Sequence, residues 1–379
     1  MPVSAVGVGE FGLATADARG VLDIERTLHH ALASNLSLVE VADEEGAERM
    51  VGDAVRVLRL RDTTMVATQI PALAARARDG LTERLPPGHV QQRVEASLRA
   101  TKFEALPLAM ISLSTAWLAS PAWPELAGTL AKLTREGKVR RWGVHLDLAA
   151  AEREGRLADE LATALTLRDP FCAISIAFSA CDRRGVPLLE GSARPVAPKQ
   201  PRPRSTGLIV SLADLDDDML LADPQLAALA GRIPSTPAEP GEPIRSLPIL
   251  AREPLAGGAL AGTLGPGMKL SPRDDRHAID AAMLERIAVA VATLAMLTRE
   301  EPPAARSCEV ARTTFERGRR PDHVEARTLA ELALRFVLDR GAIAMPRLHR
   351  REHVGTAMAA IIAPPLSAAV HERLLAVLT

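Results

Sequence analysis

Short apolar runs alternate with longer amphipathic stretches along most of the chain. In the stretch 329–339 (LAELALRFVLD), apolar residues recur at the spacing i, i+3, i+4 and i+7, which predicts a helix with one face on a core. Similar spacing predicts helices at 23–34, 48–59, 90–100 and 123–136. The apolar runs between the helices predict strands at 3–8, 38–42, 64–68, 107–113, 140–145, 172–178, 247–252 and 342–346.

This alternation of strands and helices favours parallel pairing through helical crossovers, and hence a barrel or a doubly wound sheet. Gly7, Gly9 and Gly12 have the spacing of a dinucleotide-binding GxGxxG turn, but the next predicted strand follows only after a long gap, so the match is weak. Branched apolar residues dominate the interior layers of such barrels. The candidates for these inward positions are Val39, Val41, Val66, Val144, Ile174, Ile176 and Leu250.

Two segments interrupt the alternation. Residues 183–246 are rich in proline and arginine, and residues 263–325 are polar and contain proline, with one predicted helix at 278–298. Because both segments follow predicted strands, a barrel would place them on its C-terminal face, where sites and lids lie. We therefore expect one domain, 1–379, with two insertions. The Arg/Pro stretch 193–204 fits a partner-binding extended strand as well as it fits a lid or linker.

Composition and charge exclude several classes of protein. The chain has 379 residues, 47% of them hydrophobic, and a formal net charge of −1, which gives no general attraction to nucleic acid or to an acidic membrane surface. No apolar run approaches the roughly 18 residues of a membrane span, and the N-terminus lacks the pattern of a secretory signal. Cys172, Cys181 and Cys308 form no CxxC pair, which predicts buried free thiols in the cytoplasm or in an organelle matrix.

Several segments, in order along nearly the whole chain, resemble the aldo/keto reductases. LTREGKVRRWGVHL (133–146), for example, is similar to that family's L-x-x-x-G-K-[IV]-R-x-[IL]-G-V-S-N element. The resemblance implies a (β/α)₈ TIM barrel of aldo/keto-reductase type, with long insertions on the C-terminal face. The family's N-terminal hairpin has no counterpart here, so we expect an uncovered apolar barrel floor that favours a protein partner or a homo-oligomer. The matching segments are 3–13, 38–52, 65–69, 88–100, 133–146, 251–262 and 329–346.

The resemblance also implies a catalytic tetrad, and this chain departs from it at every position. The family reduces carbonyls with NADPH: a tyrosine donates the proton, a lysine and an aspartate tune its pKa, and a histidine orients the substrate. The aspartate, tyrosine, lysine and histidine positions hold Glu40, Glu45, Gln69 and Ser112. A phenol stays protonated at pH 7, whereas a carboxyl at position 45 is ionised unless burial raises its pKa, and the chain contains no tyrosine. We therefore expect no catalytic residues of the family's kind.

The positions that match the family's cofactor contacts are altered as well. His145 and Leu146 stand where a Ser-Asn pair holds the nicotinamide carboxamide, and Ser175 replaces a glutamine. The loop 254–258 is kept, and the basic run 347–351 either holds a phosphate at a helix N-terminus or is an exposed basic helix start. The candidate cofactor-binding residues are His145, Ser175, Arg252, Leu255, Gly257, Arg347, His349, Arg350 and Arg351.

These patterns predict a non-catalytic aldo/keto-reductase-like protein that acts as a binding or scaffold subunit in a complex. The alternatives are an NADP(H)-binding sensor and an NADP-dependent oxidoreductase with an altered active site, so NADP(H) is the one cofactor considered. The acidic residues Glu40, Asp43, Glu44 and Glu45 lack a known metal-ligand spacing, and we expect a solvated loop and no metal site. Glu40 and Glu45 are either a reused acid/base pair or residues tolerated after activity was lost.

Overall fold

The computed structural model describes residues 4–9, 11, 13, 18–41, 46–74, 80–190, 247–262, 284, 287–289, 291–292, 295–296 and 328–377. Seven parallel strands form one sheet in chain order. The strands are β1 (Leu38–Val41), β2 (Met65–Ile70), β3 (Leu108–Ser112), β4 (Trp142–His145), β5 (Phe171–Ala177), β6 (Ile249–Arg252) and β7 (Ile343–Met345). The described helices are α1 (Ala18–Ala33), α2 (Ala47–Val57), α3 (Leu81–Arg84), α4 (Pro87–Thr101), α5 (Trp123–Arg135), α6 (Leu148–Arg153), α7 (Leu157–Thr166), α8 (Val186–Glu190), α9 (Leu329–Asp339), α10 (Arg351–Ile362) and α11 (Ala368–Val377).

The N-terminal segment 4–9 closes the sheet into a barrel. Val6 and Gly9 form parallel bridges to the β7 side, at Ala344 and Arg347, and Val8 bridges to Val39 of β1. The backbone N–H of Val8 donates to the carbonyl of Leu38 at 2.9 Å. The predicted strand at 3–8 is therefore the eighth member of a (β/α)₈ barrel, and the predicted fold class is confirmed.

The side chains that fill the barrel form a cluster of their own, separate from the layer between strands and helices. Leu38, Met65 and Ile343 lie at the N-terminal strand ends and are at most 5% exposed, so this part of the floor presents no open apolar surface. Among the predicted inward positions, only Leu250 belongs to this cluster; the other six face the helices. The interior cluster is Leu38, Met65, Ala67, Leu108, Met110, Ala173, Leu250, Ile343 and Met345.

Glycines make room where the seam of the barrel is tightest. A Cβ on Gly7 would lie 2.6 Å from the Sδ of Met345, and a Cβ on Gly9 would overlap the carbonyl oxygen of the same methionine. Gly143 leaves space for the Met110 side chain in the same way. Gly7 and Gly9 thus belong to the strand pairing that closes the barrel, which accounts for two of the three glycines of the weak GxGxxG match; Gly12 lies outside the described residues.

The helices begin and end close to the predicted limits. α9 has the predicted bounds and starts with a capping box, in which the Thr328 Oγ1 accepts from the Glu331 N–H at 3.1 Å and Glu331 accepts from the Thr328 N–H at 2.9 Å. Residues 183–190, at the start of the first predicted insertion, are described and include α8. The rest of that insertion, 191–246, lies outside the described residues. Within the second insertion, the described residues of 284–296 are helical, as predicted for 278–298. None of the described helices combines the length and apolar character of a membrane span.

A buried ion pair ties the last two helices to α9. The Asp339 side chain is 6% exposed and accepts from Arg335 Nε at 2.8 Å and from the Leu366 N–H at 2.8 Å. His371 on α11 lies 3.1 Å from the same carboxylate. Arg335 also donates to the carbonyls of Ala360 and Ala363 at the end of α10. The carboxylate and the guanidinium therefore hold the C-terminal part of the chain on the barrel.

We expect Gly52→Ala to destabilise the barrel by about 1–3 kcal/mol, because its Cβ would overlap backbone atoms of Thr101 where α2 packs on α4. Gly128→Ala on α5 is the matched control, since a Cβ there meets nothing within 4 Å and alanine is the better helix former by up to about 1 kcal/mol. Chemical denaturation measures both free energies of unfolding. Equal stability of the two variants would contradict the close approach of α2 and α4.

We expect Asp339→Asn to lower the melting temperature at neutral pH, and the difference from wild type to shrink in acid. Burial alone would raise the pKa of Asp339, but hydrogen bonds from His371 and Arg335 outweigh it and lower this pKa below the ordinary 3.8. A depressed pKa stabilises the fold above the unfolded-state pKa, and this contribution is lost as pH falls through the folded-state pKa. Scanning calorimetry between about pH 7 and about pH 3 follows the difference. Asp53→Asn is the control that changes less, because its ion pairs with Arg56 and Lys102 are accessible to solvent.

Candidate functional site

Polar side chains replace the apolar filling at the carboxyl ends of the barrel strands. Ser112 on β3 is in register with His145 on β4, which is in register with Ser175 on β5, so the three share one level. The carboxyl ends of barrel strands are where active sites of this architecture are assembled. The polar residues at these ends are Glu40, Gln69, Ser112, His145, Ser175 and Arg252.

A hydrogen-bonded group centred on Glu40 bridges the lumen. The Gln69 Nε2 donates to the Glu40 Oε1 at 3.0 Å, and the Ser175 Oγ donates to the same oxygen at 3.3 Å. In the closed barrel, β1 and β5 have three strands between them on either side, so the contact from Glu40 to Ser175 runs across the interior. All three side chains are buried. This group forms the floor of the candidate site.

Gln69 lies against Glu40 at the distance of an ion pair, but its side chain is a neutral amide. An amide donates a hydrogen bond to a carboxylate but adds no positive charge, whereas an ammonium in the same place would make a stronger, charge-assisted bond. Glu45, which stands at the family's tyrosine position, lies outside the described residues. Ser112 is half-buried and lies beside His145 on the neighbouring strand.

His145 is a neutral imidazole in the wall of the barrel. Burial, and after it the positive charge of Arg252, lowers the pKa of His145 to about 3, while a hydrogen bond to the Ser175 backbone acts the other way. The residue as a whole is half-buried, but its Nδ1 is inaccessible to solvent and has no hydrogen-bond partner among the described residues. His145 therefore exchanges hydrogen bonds as a neutral group and does not supply a proton at neutral pH.

The other candidate cofactor residues lie in the loops after β6 and β7. After β6 the chain turns through left-handed backbone at Glu253, Ala256, Gly257 and Gly258, with φ of 52°, 48°, 64° and 90°. Gly257 accordingly serves the turn that carries Leu255, whose side chain packs on the hydrophobic core. No pattern in the sequence predicts the left-handed backbone at Glu253 and Ala256.

The loop after β7 leads a basic group onto the outside of the barrel. Arg350 and Arg351 are exposed at the start of α10. His349 is held from two sides, since its carbonyl accepts from the Thr27 Oγ1 on α1 at 3.3 Å and its N–H donates to the His353 Nδ1 at 3.3 Å. The structure therefore divides the nine candidates: His145, Ser175 and Arg252 line the strand ends, Leu255 and Gly257 lie in the β6 loop, and Arg347, His349, Arg350 and Arg351 follow β7.

One polar residue that the sequence analysis missed holds a loop at this end of the barrel. Glu160 on α7 is 3% exposed and accepts from the Thr115 N–H at 2.8 Å and from the Ser114 Oγ at 3.2 Å, directly after β3. Arg156 lies 3.1 Å from the same carboxylate. In the sequence, Glu160 has the spacing of an ordinary polar helix residue, so only the tertiary structure identifies its partners.

The described cysteines are unreactive by environment. Burial raises the pKa of Cys172 and of Cys181 to about 11, so both stay protonated thiols at neutral pH. Cys308 lies outside the described residues. Within the described ranges, no group of three or more His, Cys, Asp or Glu side chains has an arrangement that could hold a metal ion.

Comparison with solved structures identifies the type of barrel. A glycerol dehydrogenase from Gluconobacter oxydans is 17% identical with a TM-score of 0.57, and covers 100% of this chain and 92% of its own. The holo form of an aldo-keto reductase from Bacillus halodurans is 16% identical with a TM-score of 0.55, covering 99% and 92%. An aldo/keto reductase from Klebsiella pneumoniae in complex with NADP and acetate is 18% identical with a TM-score of 0.50, covering 98% and 90%.

The fold is therefore the aldo/keto-reductase type of (β/α)₈ barrel, as the sequence predicted. Identities of this size establish the fold and assign no role to any residue. No protein-family model matches the chain, and no curated protein matches it by sequence.

We expect His145 to remain neutral from about pH 8 to about pH 5, because burial and Arg252 both oppose its protonation. Arg252→Gln removes the charge but not the burial, so the pKa of His145 rises and stays below the ordinary 6.5. Carbon-13 labelled histidine followed by NMR measures both, with the signal assigned by its loss in His145→Gln. A His145 midpoint near 6.5 in the wild-type protein would contradict this environment.

Proposed function

We propose that this chain is a non-catalytic protein of aldo/keto-reductase fold that acts as a binding or scaffold subunit. The observation that carries the proposal is the buried contact between Gln69 and Glu40, in which an amide replaces the cation that the resemblance implies. The whole chain also lacks tyrosine, so no phenol is available to protonate a carbonyl.

The chemical argument concerns the proton and the charge that carbonyl reduction requires. When hydride adds to a carbonyl carbon, the oxygen gains negative charge and must receive a proton. A positioned general acid contributes roughly 10²–10⁴-fold to such a step. Gln69 does not ionise, and the pKa of His145 near 3 leaves that imidazole neutral. A carboxyl at position 45 is ionised at neutral pH unless its surroundings raise its pKa. These residues give the developing oxyanion neither a cation nor a proton.

Exposed apolar side chains near the C-terminal face support a role in binding a partner. Val289 and Met296 are 56% and 50% exposed on helical residues seven positions apart, so they share one face. The opposite side of the same segment is anchored, since Ile287 is buried against Ala259 in the loop after β6. We take these two side chains, on a segment that is anchored to the barrel, as the contact point of the proposed partner.

We expect the purified chain to show no NADPH oxidation with a panel of aldehydes and quinones. Turnover that is present in wild type, lost in Glu45→Ala and kept in the surface control Glu104→Ala would overturn the non-catalytic proposal.

We expect mass photometry of the native protein to show an oligomer or a co-purifying partner, and the double substitution Val289→Glu and Met296→Glu to release it. A monomer without a partner would count against the scaffold role while leaving the loss of catalysis in place.

A second candidate is an NADP(H)-binding sensor, and it is favoured by the positive charge after β7. Arg350 and Arg351 are exposed, and neither forms an ion pair with a carboxylate in the described part of the chain. The Klebsiella pneumoniae relative is a complex with NADP, which carries phosphates that such arginines bind well.

Titration of tryptophan fluorescence with NADPH separates the two candidates. Micromolar binding that weakens in Arg350→Gln with Arg351→Gln, but not in Arg135→Gln on α5, would favour the sensor. No binding at millimolar NADPH would contradict the sensor role, and the scaffold role would be the one that remains.

A further inference from the structure

An arginine lies at the floor of the barrel, where β4 begins. Arg141 directly precedes β4, and its backbone carbonyl accepts from the Ala109 N–H of β3 at 2.9 Å. The next residue, Trp142, packs in the layer between strands and helices, whereas Gly143 faces the interior methionine Met110. Because side chains alternate along a strand, Arg141 is directed to the lumen side, at the amino ends of the strands.

Cys172 lies near Arg141 on the neighbouring strand. β5 carries one extra residue here, because the register between β4 and β5 shifts between Trp142 and Val144. This bulge turns Cys172 toward the interior cluster, against which its side chain packs. Burial raises the pKa of Cys172 to about 11, and the positive charge of Arg141 acts the other way. The guanidinium is therefore within electrostatic reach of the thiol, at the base of the lumen.

Arg141 is half-buried, and the hydrogen-bonding capacity of its guanidinium is unused. Within the described ranges its side chain donates no hydrogen bond and forms no ion pair. The loops before β3 and β5 carry Glu104 and Asp169, which are exposed and do not pair with it. A guanidinium presents five N–H donors in a planar fork that fits the two oxygens of a carboxylate. Arg141 is therefore open to a carboxylate from outside these residues.

Two exposed arginines lie on the same face of the barrel. Arg140 precedes β4, and Arg168 lies in the turn before β5, where it donates to main-chain carbonyls of its own loop. Neither arginine forms an ion pair with a carboxylate in the described part of the chain. Lys138, by contrast, already pairs with Glu95 and Glu136. We call the three residues without a carboxylate partner the floor arginines: Arg140, Arg141 and Arg168.

We propose that the floor arginines bind the carboxylates of an acidic segment of a protein partner, with Arg141 as the half-buried anchor. This inference rests on the proposed binding role and gives the partner its chemistry. The anchor pairs with one carboxylate through two parallel hydrogen bonds. Arg140 and Arg168 attract the carboxylates that follow it along the segment. A single free carboxylate would satisfy only the anchor, whereas three arginines on one face fit several carboxylates in a row.

Fluorescence anisotropy of a fluorescein-labelled hexaglutamate peptide, titrated with the full-length protein at low ionic strength, tests this site. Arg141→Gln is expected to weaken binding roughly tenfold, the loss of one charge-assisted interaction, and Arg141→Lys less, because it keeps the charge without the fork. Arg140→Gln and Arg168→Gln are expected to weaken binding about twofold each, since exposed charges contribute less. The matched control is Arg153→Gln, which removes an exposed arginine from α6 at the other end of the barrel.

Equal losses in the four glutamine variants would mean that the peptide responds to net charge alone, and would overturn the site. Unchanged binding in Arg141→Gln, or no binding by the wild-type protein, would overturn it as well. Acetate that displaces the peptide better than chloride at the same ionic strength would overturn a protein partner as the source of the carboxylate. The Val289 and Met296 variants test the binding role separately, so a failure of this site leaves that role standing.

Discussion

The interior of a closed barrel has to be filled by side chains from its own strands. The candidate site of this molecule depends on how that filling changes from the amino ends of the strands to their carboxyl ends. In the lower layers, Leu, Met and Ile side chains pack against one another, and glycines at positions 7, 9 and 143 make room for methionines. At the level of Glu40, the filling becomes polar. A carboxylate in that position is stable only when it is hydrogen-bonded, and Gln69 and Ser175 supply the bonds from the neighbouring strand and from across the lumen.

The order of strands and helices could be predicted from the sequence, whereas the direction of individual side chains could not. Strands of a parallel barrel are buried on both faces, so their sequences show continuous apolar runs without the alternation that would fix which side faces inward. The branched residues at 39, 41 and 66 looked like interior filling and instead face the helices. Glu40, which lies between two valines, indicates better which residues of β1 face the lumen, because a buried carboxylate needs polar partners and these lie within the lumen.

The candidate site divides in the same way. The resemblance identified the strand-end positions 40, 69, 112, 145, 175 and 252, because each lies near the end of an apolar run that the sequence itself shows. The contact between Glu40 and Ser175 joins residues 135 positions apart and depends on closure of the barrel. The Thr27 hydroxyl reaches the His349 carbonyl only because α1 packs on α10, and Glu160 contacts the Thr115 N–H only because α7 packs beside the loop after β3. No periodicity marks such pairs.

Under the proposed function, this barrel keeps a binding role without the family's chemistry, and the distribution of charge supports that proposal. Proton delivery to a carbonyl depends on a few groups in one buried layer, so the replacement of a single donor or cation there weakens it by orders of magnitude. Phosphate binding depends on several exposed cations whose contributions are individually small, so it survives the loss of any one of them. In the lumen of this chain the Glu40 carboxylate accepts its hydrogen bond from the amide of Gln69, while the surface after β7 keeps Arg350 and Arg351. Under the proposed function, the rigid barrel and the exposed arginines after β7 are the features that serve binding.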